Sequence, residues 1–386
     1  MAPGEAGDAR WMRAALALAR RGVGRVAPNP SVAAILVRDG RVLGRGVTTP
    51  GGRPHAETVA LAAAEAVWGP RASEGATAYV TLEPCAHHAL TPPCADALAA
   101  AGIARLVCPV MDPDPRVGGR GFARLAEAGV VVDTGLMATK ARAINAGFLS
   151  THERGRPWLT LKLATSTDGR IATATGESRW ITGPEARRRV HLMRAQSDAV
   201  LIGAGTARAD DPMLDVRDLG LAEANPVRVV ADPRATLSPT SRLAQTARAI
   251  PTWVLRAEGS HNPETPALTE LGVRILTVPP AEDGVDLAAA LKLLARSGIT
   301  RVLSEGGGRL AASLLRAGLV DELCVFSAGL ALGADGHPAI GPLALDRLAD
   351  APRLILSEHT QTGPDTLSRW THPEAAAWLA GTPPAR

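Results

Sequence analysis

The sequence predicts an α/β protein built as two domains, and three observations carry that reading. The chain has 386 residues, more than a single core comfortably encloses. Short apolar runs rich in Val, Ile and Leu alternate with stretches of helical period in both halves. Between residues 134 and 157 the pattern turns helical and polar, closing on His152-Glu153-Arg154-Gly155-Arg156-Pro157. A boundary there gives domains at 1–150 and 151–375.

The first domain opens on a helix over 9–21, capped by Asp8, with Trp11, Ala15, Leu18 and Ala19 on one face. Ala27-Pro28-Asn29-Pro30 breaks the chain before a strand at 32–37. Arg38-Asp39-Gly40-Arg41 reads as a hairpin turn, because Asp-Gly accepts left-handed backbone, and 42–47 returns. A helix over 55–68 follows, with Val59, Ala60, Ala63 and Val67 inward. A strand at 78–82, a helix at 94–101, a strand at 106–110, a helix at 122–128 and a strand at 130–133 suggest a mixed sheet with helices on both faces. In the second domain, strands are expected at 158–164, 198–202, 227–231, 252–255, 273–278, 301–303 and 322–327. Helices fall at 184–196, 286–297 and 308–318, and Gly333-Ala334-Asp335-Gly336 is a turn.

Hydrophobic content of 46% and charged content of 21% are those of an ordinary globular protein, while aromatics at 3% leave the core to Ala, Val and Leu. Net charge is only +4, with basic and acidic residues interspersed. One Tyr, three Phe and no Lys/Arg cluster argue against a nucleic-acid deaminase or binding protein, which needs a basic surface with rings for stacked bases. No apolar stretch is long enough to span a bilayer, and residues 1–22 lack the apolar segment of a signal peptide. Cys108 and Cys324 fit no disulfide framework, so cytoplasmic residence is expected.

The chemistry concentrates between His55 and Cys94. Pro54-His55-Ala56-Glu57 is followed by Thr81-Leu82-Glu83-Pro84-Cys85, then by eight residues and Cys94. A catalytic zinc ion takes three protein ligands and keeps one open position for water, and one imidazole with two thiolates supplies that set. Glu57, two residues past the His, points elsewhere than the ligand and reaches the water. That is the arrangement of the zinc nucleobase deaminases, whose Glu shuttles protons without binding metal. Their usual second half is P-C-x-x-C; here Pro92-Pro93 lies in a longer loop that must bring Cys94 back. Unconnected buried Cys and His residues are the bland alternative, but H-A-E, P-C and C-A-D each stand beside an expected helix start.

Two glycine clusters follow apolar strands in the second half: Ile202-Gly203-Ala204-Gly205-Thr206, leading to Ala209-Asp210-Asp211-Pro212, and Ser304-Glu305-Gly306-Gly307-Gly308-Arg309. Glycine admits a ligand close to the backbone, and free N–H groups at a helix start hold phosphate. Neither cluster is G-x-G-x-x-G, so a standard Rossmann site is not predicted. Structural turns explain such clusters equally well.

With both sets of motifs in view, the chain resembles the bifunctional riboflavin-biosynthesis deaminase–reductase family over nearly its whole length. The segments that carry the resemblance include Ala27-Pro28-Asn29-Pro30, His55-Ala56-Glu57, Leu82-Glu83-Pro84-Cys85 and Thr91-Pro92-Pro93-Cys94. Asp112-Pro113-Asp114-Pro115, Gly176-Glu177-Ser178-Arg179-Trp180-Ile181-Thr182 and Leu192-Met193-Arg194-Ala195-Gln196-Ser197-Asp198 follow, then Gly205-Thr206 and Glu305-Gly306-Gly307. The resemblance implies an N-terminal cytidine-deaminase-like zinc domain and a C-terminal dihydrofolate-reductase-like domain that uses NADPH. The first would hydrolyse the ring amine of a diaminopyrimidinone ribosylamine 5′-phosphate, and the second would reduce its ribosyl group to ribityl.

The resemblance also implies residue roles. His55, Cys85 and Cys94 would hold Zn2+, Glu57 would be catalytic, and Asn29 and His87 would lie near the deaminase substrate. Ser178, Arg194, Leu214, Arg217 and Glu305 would surround the reductase substrate, with the two arginines suited to a phosphate. Ala164, Trp180, Thr206, Asp210 and the helix start at Gly307, Gly308, Arg309, Leu310, Ala311, Ala312 and Ser313 would meet NADPH. Lys162 would stand near the transferred hydride. A solvated helix face for each Arg, and core packing for Trp180, are the plainer explanations. A homo-oligomer acting on a small phosphorylated pyrimidine, without nucleic-acid or membrane partners, is expected.

The chain departs from the family at several positions. Ala89-Leu90 stands where most relatives carry Gly and then Lys or Arg, and a lost cation-to-phosphate contact is worth about 1.5–3 kcal/mol. Thr48 replaces a common His, Asp114 an Asn, Thr167 a Leu and Pro233 a Ser. These departures keep one alternative in view: a side-branch paralogue with an altered or weakened deaminase and a working reductase.

Overall fold

A computed structural model describes residues 3–86, 92–115, 117–221, 224–282 and 284–382. The chain forms two compact units, Met1–Gly155 with Ala377–Arg386, and Arg156–Ala376. The mixed α/β class holds in each.

In the first unit, α1 (Pro3–Ala19) precedes the hairpin β1 (Ala33–Arg38) and β2 (Arg41–Val47). Asp39 and Gly40, at φ 52° and 72°, make the left-handed turn that Asp-Gly announced. Then come α2 (Ala56–Trp68), β3 (Thr77–Val80), α3 (Cys94–Ala100), β4 (Arg105–Cys108), α4 (Arg120–Glu127), β5 (Val131–Thr134), α5 (Ala138–Ile144) and α6 (Ala146–Glu153). The sheet order is β2-β1-β3-β4-β5, antiparallel around β1 and parallel from β3 to β5.

Two local expectations are corrected. Asp8 lies inside α1 and caps nothing; its carboxylate accepts hydrogen bonds from Tyr79 Oη at 2.6 Å and from Arg105 Nη1 and Nη2 at 3.0 and 2.8 Å. The inner line of α1 is correspondingly Met12, Ala15, Leu16 and Ala19. In α2 the buried line is Ala56, Ala60 and Ala64, whereas Val67 is 68% exposed. The cause lies in β2, where a Cβ on Gly44 would strike the Ala60 carbonyl and one on Gly46 the Ala56 carbonyl. Helix backbone lies directly on strand backbone there, so only alanine fits along the contact.

The second unit runs β6 (Trp158–Ser166), β7 (Arg170–Ala172), α7 (Pro184–Ala195), β8 (Ala199–Gly203), α8 (Ala204–Asp210), β9 (Val227–Ala231), α9 (Arg242–Gln245), β10 (Thr252–Ala257), α10 (Thr265–Glu270) and β11 (Arg274–Val278). It continues through β12 (Pro280–Ala281), β13 (Gly284–Val285), α11 (Leu287–Arg296), β14 (Arg301–Ser304), α12 (Gly308–Arg316), β15 (Glu322–Ala328), β16 (His337–Pro338), β17 (Ile355–Thr362) and β18 (Asp365–Thr371), and the last helix, α13 (Pro373–Leu379), begins in this unit and ends in the first. The large sheet has the order β11-β10-β9-β8-β14-β6-β15-β18-β17, parallel as far as β15 and antiparallel beyond. Because β14 returns to lie between β8 and β6, the order of strand connection reverses there. In open parallel sheets such a switch opens a crevice at the carboxyl ends of the strands. Lys162, Gly203 and Glu305 belong to those three strands or follow them directly. The β17–β18 hairpin and α8 were not expected from sequence.

Candidate active sites

In the first unit the structure brings His55, Cys85 and Cys94 together, their donor atoms all within 4.8 Å of one another. His55 is the N-cap of α2, Cys94 is the first residue of α3, and Cys85 lies in the irregular segment after β3. His55 Nδ1 is 3.3 Å from Cys94 Sγ and 3.6 Å from Cys85 Sγ. Zinc bonds of about 2.3 Å to sulfur and about 2.0 Å to nitrogen, at tetrahedral angles, put N and S ligands about 3.5 Å apart. The donor set and its spacing therefore fit a zinc ion. The Cys94 backbone N–H donates to Cys85 Sγ at 3.3 Å. The bond from the Cys94 side chain, joined by one from His55, brings the Cys85 thiol down to about 4, while the same cysteine pair and burial push Cys94 up.

Glu57, the second residue of α2, is 4% exposed, and burial pushes its carboxyl up to about 7. Asn29 sits in the turn before β1, its side chain against Gly52, where any Cβ would overlap it. His87, Ala89 and Leu90 lie outside the described residues. Of the other departures, Thr48 is buried and its Oγ1 accepts from the Val32 N–H at 3.1 Å. The Asp114 N–H donates to Asp112 Oδ1 at 2.8 Å.

A residue that sequence reasoning passed over supports this site. Glu83 is 4% exposed and accepts four backbone hydrogen bonds, from Asp112 and Gly119 through Oε2 and from Gly121 and Phe122 through Oε1. Gly121 packs against the Pro84 carbonyl with no room for a side chain. Glu83 thereby ties the segment entering α4 to the residues just before Cys85. A carboxylate at the end of an apolar strand, followed later by glycines 119 and 121, was the available signal.

In the second unit, Glu305 meets Arg194 of α7 and Lys162 of β6. Arg194 Nε and Nη2 donate to its two oxygens at 2.6 and 3.0 Å, and Lys162 Nζ is 3.7 Å away. Burial alone would raise the Glu305 pKa, yet the Arg194 and Lys162 charges hold it down to about 2. Burial lowers the pKa of Lys162. Arg194 Nη1 also donates to the Asp215 carbonyl at 3.0 Å, which leaves two of its five N–H groups for a ligand. Leu214 is buried with φ at 52°, an uncommon conformation for a branched residue. Arg217, beside it, is half-exposed and donates to Asp215 Oδ1 at 2.6 Å.

The glycine clusters converge. Thr206, in α8, accepts the Gly307 N–H at 3.2 Å, so the start of α12 is joined to the end of β8. Gly307 caps α12, whose first residues are Gly308, Arg309, Leu310, Ala311, Ala312 and Ser313. Gly308 packs on the Pro338 carbonyl, whereas a Cβ on Gly203 or Gly205 would meet nothing within 4 Å. Bare backbone beside a helix start suits the phosphates of a nucleotide. Ala164 follows Lys162 by two residues on β6 and so faces the same way. The Asp210 carbonyl accepts from Arg179 Nη2 at 2.7 Å. Ser178 is half-buried in the same segment as Trp180. Trp180 is 65% exposed under the Arg187 guanidinium, which excludes core packing as its explanation.

Fold and clusters together define a zinc-dependent deaminase joined in one chain to a nucleotide-dependent reductase. Residues 6–110 match the cytidine and deoxycytidylate deaminase zinc-binding region, and residues 157–368 match the RibD C-terminal domain. The chain is 43% identical over 371 residues to riboflavin biosynthesis protein RibD of Escherichia coli, covering 93% of this chain and 97% of that one. It is 39% identical to the RibD protein of Bacillus amyloliquefaciens, over 92% of this chain and 94% of the other. The solved structure of Acinetobacter baumannii RibD, 37% identical, superposes with a TM-score of 0.84 over 95% of this chain and 99% of that one. A Thermotoga maritima structure, described as a diaminohydroxyphosphoribosylaminopyrimidine deaminase/5-amino-6-(5-phosphoribosylamino)uracil reductase, is 30% identical with a TM-score of 0.84, over 96% of this chain and 99% of that one.

The chain belongs to the bifunctional riboflavin-biosynthesis deaminase–reductase family. It is an enzyme of riboflavin biosynthesis that catalyses a deamination and a reduction, with Zn2+ and NADPH as cofactors. Its substrate is a small molecule. Relatives that match both halves together do not favour the side-branch alternative. Among the described residues no helix is long and apolar enough to cross a membrane.

Proposed function

We propose that the first unit deaminates a diaminohydroxyphosphoribosylaminopyrimidine and that the second reduces the resulting 5-amino-6-(5-phosphoribosylamino)uracil. The convergence of His55, Cys85 and Cys94 beside a buried Glu57 carries this reading. Those three residues would hold zinc, which when bound acts as a Lewis acid and makes water a nucleophile near neutral pH. The Glu57 carboxylate would take the proton from the attacking water, then deliver protons to the ring nitrogen and the departing amine. Glu57 can do both because its helix start aims it past the ligand His55 and burial keeps bulk water from competing for its proton. Asn29 and His87 would orient the pyrimidine.

In the second unit NADPH, when bound, supplies the hydride. The glycine backbone at Gly203 and Gly205, with Thr206, Asp210, Ala164, Trp180 and the first turns of α12, would receive it. Arg217 and the two spare donors of Arg194 would hold the substrate phosphate, with Ser178, Leu214 and Glu305 around the sugar. Lys162 would stand beside the arriving hydride, where its Nζ can supply the proton that the opening sugar ring requires.

The deaminase is assigned to residues 1–150 and the reductase to 151–375, a division that the two compact units support. A cytoplasmic homo-oligomer completes the reading. Four free cysteines support the compartment, and exposed Ile355 and Leu356 on the edge strand β17 support assembly. The test is ammonia release from the diaminopyrimidine phosphate by zinc-loaded protein. Release by the wild type but not by Glu57→Gln is expected; equal release by both would overturn the assignment of Glu57.

A further inference from the structure

His191 is a residue to which no role has been given above. It lies on α7 three residues before Arg194, on the same face of the helix, and is 7% exposed. Its Nδ1 is 3.1 Å from the Asp215 carbonyl oxygen and 3.4 Å from the Arg217 backbone nitrogen. Burial first, then the charges of Arg194 and Arg217, lower its pKa, so the ring is neutral at physiological pH. A neutral imidazole Nδ1 either donates or accepts, and the shorter contact faces a carbonyl, which only accepts. Nδ1 therefore carries the hydrogen and donates to Asp215.

The Asp215 carbonyl has two lone pairs, and both are then used, one by His191 Nδ1 and one by Arg194 Nη1 at 3.0 Å. Two side chains of one helix thus grip a single peptide group two residues before Arg217. The Val216 N–H is fixed from the other side by Asn225 Oδ1 at 2.7 Å. Arg194 supplies only one of these two bonds, its Nε and Nη2 being turned to Glu305. The segment needs such a hold, since Asp211 and Leu214 both adopt left-handed backbone within four residues.

We propose that His191 is a positioning residue of the reductase, which sets the Arg217 guanidinium at the substrate phosphate by clamping the Asp215 peptide. This rests on the assignment of Arg217 to the phosphate. Its polar contacts are with the backbone of Asp215 and Arg217, so its contribution is to substrate affinity and not to the hydride step.

The experiment uses the full chain with 5-amino-6-(5-phosphoribosylamino)uracil and NADPH, comparing His191→Leu, His191→Asn, Arg217→Ala and the double variant His191→Leu/Arg217→Ala. The asparagine amide occupies the position of Nδ1 and can donate to the same carbonyl. His191→Leu is expected to raise KM for the phosphorylated substrate about tenfold, the effect of one lost hydrogen bond to a well-placed group. Its kcat and its KM for NADPH stay within about twofold, because neither depends on this clamp. His191→Asn restores KM to within about threefold of the wild type, and the double variant is no worse than Arg217→Ala alone. Melting followed through NADPH binding confirms folding, and His191→Ser replaces the leucine variant if that one fails to fold. A normal KM in the folded His191 variant, beside a raised KM in Arg217→Ala, overturns the proposal alone. Additive effects in the double variant also overturn it, since His191 would then act elsewhere. A normal KM in Arg217→Ala removes the phosphate assignment itself, and the proposal with it.

Discussion

Arg194 and Glu305 face each other through two hydrogen bonds, Nε to Oε1 at 2.6 Å and Nη2 to Oε2 at 3.0 Å, with both side chains almost wholly buried. Lys162 completes the group at 3.7 Å from the same carboxylate. One buried anion thus holds two cations at the carboxyl ends of the central strands of the reductase sheet.

Glu305→Gln leaves Arg194 and Lys162 opposed without an anion. Breaking a buried pair by removing one partner costs about 3–5 kcal/mol, and the reductase unit should lose stability on that scale in denaturant melts followed by NADPH binding. The pH dependence has a definite sign. The native pKa of about 2 lies below the ordinary value of 4.5, so the carboxylate stabilises the fold above 4.5 and that contribution is lost as pH falls toward 2. The difference in stability between wild type and Glu305→Gln should therefore shrink between pH 5 and pH 3.

Glu83→Ala orphans the N–H groups of Asp112, Gly119, Gly121 and Phe122. Each buried donor left unpaired costs about 1–3 kcal/mol, so a loss of at least about 3 kcal/mol is expected in the deaminase unit. Zinc should also leave faster in the presence of a chromogenic chelator, because the segment before Cys85 loses its brace. Unchanged zinc release would show that the brace does not reach the metal site.

Gly44→Ala places a methyl group against the Ala60 carbonyl, and Gly46→Ala places one against Ala56. Overpacking of this kind costs about 1–3 kcal/mol, more where the obstacle is backbone. Because His55 caps α2, displacement of the helix should also reduce zinc content per chain, measured by metal analysis.

Zinc removal separates the two activities. Dialysis against a strong chelator should abolish ammonia release while leaving NADPH oxidation with the deaminated substrate intact, because among the described residues the only candidate metal-ligating group is the His55, Cys85 and Cys94 set of the first unit. Zinc alone should restore the deaminase.

Much of this was legible because it depends on local chemistry. Asp39-Gly40 announced its turn, and His55 and Cys94 stand at the helix starts expected beside H-A-E and C-A-D. The Glu57 reading followed from spacing alone. What escaped depends on distant partners. Asp8 looked like a cap until Tyr79 and Arg105 claimed it, and the inward face of α2 was decided by two glycines on another element. The strand β17 carries no alternating apolar pattern, since every one of its residues is exposed or half-buried at the edge of the sheet. Glu83 and His191 act on backbone groups far along the chain, which no motif records.

The most direct measurement follows both products from one preparation, with the diaminopyrimidine phosphate and NADPH supplied together. The wild type should release ammonia and oxidise NADPH in equal amounts. Glu57→Gln should do neither with this substrate, yet oxidise NADPH at the normal rate when given 5-amino-6-(5-phosphoribosylamino)uracil. Zinc-loaded wild type that releases no ammonia while still reducing the deaminated compound would contradict the account.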